Sequence, residues 1–105
     1  MSKYHNIKTE CDGFRFDSLA EYRRYCELKL LLRAGEIRDL RVHPRYDLHV
    51  SGVKVGTYSA DFAYKNKHRL AETVEDVKGV KTPLYRLKSK MVLAEYGIKI
   101  IEVEA

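Results

Sequence analysis

The sequence is poor in structure breakers. It has two prolines and six glycines in 105 residues, and no apolar run extends beyond a few positions. With 45% hydrophobic and 33% charged residues, this scarcity argues against a disordered chain and for one compact domain with a real core, spanning 1–105. No stretch approaches the ~20 apolar residues of a membrane span. The start, Met1-Ser2-Lys3-Tyr4-His5, has no apolar signal core, so nothing points to export. Cysteine is scarce as well. Cys11 and Cys26 form no metal-type pair with a nearby histidine, and each is expected as a buried, reduced thiol in a cytosolic setting. The chain also lacks a glycine-rich phosphate loop and a Ser or Cys nucleophile with a placed base. Its four histidines, His5, His43, His49 and His68, are scattered without metal-ligand spacing.

What is present in excess is positive charge. The formal net charge is +5 and the pI is near 9.2, which suits an acidic partner, nucleic acid being the commonest. Between Val77 and Ala94 lie five basic residues, Lys78, Lys81, Arg86, Lys88 and Lys90, and no acid. Glu72, Glu75 and Asp76 stand just upstream. An acidic cluster beside a basic stretch is the pattern of a metal site next to a phosphate track.

Periodicity and turn chemistry divide the chain. Residues 4–16 read as a hairpin about Asp12-Gly13, a pair suited to two positive φ angles. Lys3, His5 and Lys8 belong to its N-terminal arm. Ser18-Leu19-Ala20-Glu21 fits a capping box opening a helix that runs to about Ala34 and stops at Gly35. Glu21, Tyr25, Leu28 and Leu32 fall on its buried stripe, so Glu21 either closes the cap or points into the structure. Residues 37–50 read as an irregular first strand interrupted at His43-Pro44, and 53–64 as a second. In the second, Tyr58, Ala60, Phe62 and Tyr64 form one face, and Thr57, Ser59, Asp61 and Ala63 the other. The third strand ends at Gly79, with Leu70, Glu72, Val74, Asp76 and Lys78 on one face. Thr82 caps a second helix with Pro83 at its first position and Gly97 after its end. Leu84, Leu87, Met91 and Ala94 are its expected apolar side, with Tyr85 and Val92 flanking. A last strand covers 98–103.

Register decides whether the acids meet. A turn with its tip at His68-Arg69 sets Asp61 opposite Asp76, within about 5 Å. A tip at Asn66-Lys67 instead sets Asp61 opposite Glu72 and leaves Asp76 roughly 13 Å along the strand. Turn chemistry does not choose. The first register is adopted because it builds a site: two carboxylates that can hold a divalent ion, and a lysine that can serve water or the charge on phosphorus.

The order of these residues resembles the PD-(D/E)xK nuclease superfamily, with its restriction-endonuclease-like fold. A helix carries Glu21, a strand carries Ala60-Asp61-Phe62, a strand carries Asp76-Val77-Lys78, and a basic helix and closing strand follow. Small phage-encoded endonucleases and Holliday-junction resolvases of that superfamily are the nearest in character. The resemblance covers roughly 17–103, the expected nuclease core, with 1–16 as a hairpin and arm. It implies an α/β (α+β) fold: a helix, a three-stranded antiparallel region, a helix and a strand, with the helices packed on a mixed central sheet. It implies Asp61, Asp76 and Glu21 as ligands of Mg2+ (or Mn2+), and Lys78 as the residue serving the water. Two departures stand out: alanine replaces the proline before Asp61, and the third-strand acid is Asp.

The resulting expectation is a Mg2+-dependent DNA endonuclease, selective for branched DNA, acting in the bacterial cytoplasm in phage recombination, replication or packaging. Symmetric cutting of a junction would need a homodimer. Lys81, Tyr85, Arg86, Lys88 and Lys90 are the expected DNA contacts. The rival expectation is a non-catalytic DNA-binding module, or an accessory protein of a phage packaging or replication complex.

Overall fold

A computed structural model describes residues 9–105; the arm with Lys3, His5 and Lys8 lies outside the described residues. Local chemistry sets most element ends. β1 (Thr9–Cys11) pairs with β2 (Phe14–Phe16) across Asp12 and Gly13, whose φ angles are 54° and 82°. α1 (Leu19–Arg33) starts where the Ser18 hydroxyl accepts the Glu21 N–H at 3.1 Å. It ends at Gly35 (φ 77°), where the Glu36 N–H donates to the Leu31 carbonyl at 2.9 Å. Glu21, Tyr25 and Leu28 form its buried stripe. α2 (Pro83–Tyr96) is capped by Thr82, carries proline in its first turn and closes on Gly97 at φ 69°. No described helix is long and apolar enough to cross a membrane.

The strands between the helices number more than the sequence suggested. β3 (Ile37–Val42) and β4 (Arg45–Val50) are separated at His43-Pro44. The expected second strand is itself broken into β5 (Val53–Ser59) and β6 (Phe62–Asn66), with a bend at Ala60-Asp61. β7 (Glu72–Lys78) completes that set, and β8 (Ile101–Glu104) follows α2, starting later than the expected strand over 98–103. The main sheet has the order β3-β6-β7-β8, antiparallel except for the parallel β7–β8 pair, while β4 and β5 form a separate hairpin. The fold is a mixed α+β domain, with helices packed on a mixed sheet.

The two breaks lie side by side and explain each other. The Ala60 N–H donates to the Pro44 carbonyl at 3.0 Å, and the His43 N–H donates to the Asp61 carbonyl at 2.9 Å. Proline supplies no N–H to a ladder, so both strands leave the sheet at the same level. The bend corrects the expected single aromatic face. Tyr58 and Ala60 join a core with Tyr46, Leu48, Ala63, Val74, Tyr85 and Val92. Phe62 and Tyr64 join the other core, with Phe16, Tyr25, Leu28 and Ile37 under α1.

α2 is turned from its expected orientation. Tyr85 and Val92 are buried, whereas Leu84 and Leu87 are 60% and 56% exposed and Ala94 is exposed too. The two stripes are adjacent on the helix, and periodicity alone does not separate them. The large Tyr85 ring, whose hydroxyl donates to Glu102 at 2.9 Å, settles the choice. Cys11 and Cys26 are free and half-buried rather than buried.

Candidate metal centre

β6 and β7 pair with Phe62 opposite Glu75 and Ala63 opposite Val74. Continued by one residue, this register sets Asp61 beside Asp76. It is the alignment with its tip at His68-Arg69. The Asp61 N–H donates to the Glu75 carbonyl at 3.2 Å, and its carboxylate accepts the Val77 N–H at 2.6 Å. Burial, and then the neighbouring Asp76, push the Asp61 carboxyl up to about 9.

Glu21 reaches the same place from the first turn of α1. Its backbone N–H is capped by Ser18, but its side chain is turned away from the cap. It is 8% exposed, and Oε1 lies 3.2 Å from Nε2 of His43. Ligand atoms of Glu21, His43 and Asp61 all lie within 4.8 Å of one another. They line a cleft with Asp17, Arg45 and Ser59 at its rim. Two ligands about 2.1 Å from one ion stand about 3 Å apart when adjacent and about 4.2 Å when opposed, so the three groups need only small shifts to close on a cation.

Asp76 and Lys78 stand on the α2 face of β7. Asp76 is 3% exposed. Its Oδ2 takes a hydrogen bond from the Tyr58 hydroxyl and lies 3.4 Å from the Lys78 ammonium. Burial and the Asp76 carboxylate raise the Tyr58 phenol well above its ordinary range, which keeps it a donor. The Lys78 Nζ also sits 4.2 Å from the centre of the Tyr85 ring. On the other face of β7, the buried Glu75 is gripped by Arg24 of α1 through two hydrogen bonds of 2.7 Å, and accepts from the Tyr64 hydroxyl. Arg24 follows Glu21 by one helical turn, and Glu75 precedes Asp76. This pair therefore ties the helix carrying one acid to the strand carrying another.

The expected DNA contacts are placed unequally. Tyr85 is corrected: it is 7% exposed, with its ring under Lys78 and its hydroxyl on Glu102, and it has no free face for a base. Lys81 pairs with Glu102 at 2.8 Å, and Lys88 donates to the Thr57 carbonyl at 2.8 Å. Arg86 and Lys90 are exposed. His43 is the site residue that spacing did not reveal. The one local signal is the His-Pro break itself, since His43 adopts φ 56°, a conformation that aims a side chain out of a strand.

Fold and site together define a small α+β domain with a cleft of carboxylates and an imidazole suited to a divalent cation. The chain belongs to the DUF1064 family, described as a protein of unknown function, whose profile matches residues 1–102. No curated protein and no solved structure is significantly similar to it.

Proposed function

We propose that the protein is a metal-dependent DNA endonuclease with a PD-(D/E)xK arrangement of site residues on a restriction-endonuclease-like core. One observation carries the reading: Glu21 from α1 and Asp61 from the bend before β6 converge with His43 on one cleft, while Asp76, next to Asp61 in the β6–β7 register, and Lys78 stand outside that cluster on the α2 face of β7. The order of elements supports it, with a helix, antiparallel strands and then a strand parallel to β7 after a second helix.

The residues fit a divalent cation in kind. Asp61 adjoins Asp76 in the strand register, burial and then that neighbour raise its carboxyl, and Glu21 and His43 stand alongside Asp61. When bound there, Mg2+ or Mn2+ supplies Lewis acidity and countercharge at a phosphodiester. The chain's own residues do the rest. Tyr58 fixes the Asp76 carboxylate. Lys78, held between Asp76 and the face of Tyr85, would orient the attacking water or offset charge on the phosphate. Arg45 at the rim is placed to meet a backbone phosphate.

The test is cleavage of plasmid, linear and four-way-junction DNA, and of RNA, with Mg2+, Mn2+ or EDTA. Metal-dependent cutting that disappears in Lys78→Ala, with DNA binding retained, is the expected outcome. A wild-type protein that binds DNA yet cuts none of these substrates with either ion would establish the binding-module reading instead. A junction cutter should also behave as a dimer, because two symmetric incisions need two sites.

The DNA track yields a second expectation. Because Lys81 and Lys88 already have protein partners, the salt dependence of binding should rest chiefly on Arg86, Lys90 and Arg45. Neutralising each should weaken binding evenly across sequences and lower the log–log salt slope by about one unit for every phosphate that the side chain engages. Titrations of the single and combined variants over a range of salt would measure this. An unchanged slope in the triple variant would place the track elsewhere.

A further inference from the structure

Resting on the metal-site reading above, we infer that His43 is a direct nitrogen ligand, which makes this a mixed nitrogen–oxygen site that takes Mn2+ in preference to Mg2+. The geometry comes first. A ring nitrogen of His43 and oxygens of Glu21 and Asp61 converge within 4.8 Å, from the start of α1 and from two strand breaks. A simple hydrogen bond from His43 to Glu21 accounts for their 3.2 Å approach but not for that of Asp61 to both.

The histidine is also held for the purpose by its backbone. Its N–H donates to the carbonyl of Asp61, so the imidazole and the carboxylate come from residues locked to each other. Its ring lies beside the buried Phe16, with centroids 6.0 Å apart, while the side chain keeps 37% exposure toward the cleft. The Glu21 carboxylate is turned to it, on Nε2 of His43, while the cap is made by the Ser18 hydroxyl on the Glu21 N–H. By contrast, His49 is engaged by Glu95 at 2.6 Å and belongs to no such cluster.

The chemistry then sets the ion. Mg2+ takes oxygen ligands and holds its waters, so an imidazole in the ring of donors adds little for it. Mn2+ and later divalent ions of the first transition row accept imidazole nitrogen, with affinity rising along the series. The imidazole also adds a neutral ligand where further carboxylates would add repulsion to the Asp61–Asp76 pair.

The test is pulsed electron paramagnetic resonance of the full chain loaded with Mn2+, together with calorimetric titration of Mn2+ and Mg2+. Wild type should show nitrogen-14 modulation from one coordinated imidazole, and His43→Asn should lose it. Asparagine tolerates the positive φ at this position, so the fold should persist. The variant should bind Mn2+ about tenfold or more weakly while its Mg2+ affinity moves by less than about threefold. Wild-type Mn2+ bound without nitrogen coupling, or equal weakening of both ions in the variant, would overturn the inference while leaving a metal site in place. A wild-type protein that binds neither ion would remove the metal-site reading itself, and this inference with it.

Discussion

Asp61→Asn should abolish metal-dependent cleavage and, in the same protein, make the metal-free fold more stable. The two effects have one cause. In the free protein the Asp61 carboxyl is half-buried beside Asp76 and Glu21, and these surroundings raise it to about 9. A carboxyl whose folded-state value lies above its unfolded value takes up a proton on folding. Its contribution to stability therefore falls as pH rises, from about 4, where the unfolded chain ionises, toward about 9. Asparagine removes that penalty and keeps the geometry: its carbonyl oxygen can still accept the Val77 N–H, and its amide can donate toward Asp76. A gain of about 1–3 kcal/mol at pH 7 is expected, in the range for relieving a poorly compensated buried polar group. It should shrink toward pH 4. Loss of a ligand should cost the reaction several kcal/mol, about a thousandfold or more in rate. DNA binding in EDTA should hold or strengthen, because less negative charge faces the phosphates. Urea unfolding at several pH values, beside cleavage assays, would measure both arms. A variant that is less stable than wild type at pH 8 would show that Asp61 is a structural anchor and not a strained ligand.

The second large effect should come from Arg24→Met, on the side of the sheet away from the lysine. Glu75 is 2% exposed, and its compensation comes from the Arg24 guanidinium and the Tyr64 hydroxyl. Removing the cation leaves an uncompensated buried carboxylate, at a cost of about 3–5 kcal/mol near neutral pH. Glu75→Gln should cost less, because Arg24 keeps partial solvent access and a second partner, Glu27, at 3.0 Å. The double change Arg24→Met with Glu75→Leu should recover much of the loss, since no charge is then left buried. Chemical denaturation of the four proteins would rank these losses. Equal losses in the two single variants would point to packing and not charge as the source. The consequence for function is positional. The pair fixes α1 against β7, so its removal should loosen the spacing of Glu21 from Asp61 and Asp76 and reduce cleavage in the fraction that remains folded.

Whatever depends on a few neighbouring residues was legible in the chain. Ser18 and Thr82 open the helices, Gly35 and Gly97 close them, and Asp12-Gly13 turns the first hairpin. Each of these is a local choice of φ, or a hydrogen bond spanning three or four residues, and local chemistry suffices to decide it. The strand period placed Asp76 and Lys78 on one face of β7. The helix period placed Glu21 on the buried stripe of α1.

Packing between distant segments set the rest. Two turn registers were equally compatible with residues 65–70, and the pairing of β6 with β7 selected the one that joins Asp61 to Asp76. Two adjacent stripes of α2 were both apolar. Docking on Tyr85 and Val92 left Leu84 and Leu87 outside and withdrew Tyr85 from the surface. His43 was invisible as a site residue because its partners, Glu21 and Asp61, are 22 residues before it and 18 after it. No spacing rule spans such distances. The register that pairs Val42 with Phe62 and Arg45 with Ser59, carried across the two strand breaks by the bonds from Ala60 to Pro44 and from His43 to Asp61, sets His43 opposite Asp61. Those bonds form only when the chain bends out of the sheet in two places at once, a decision made by long-range packing and beyond the reach of any local pattern.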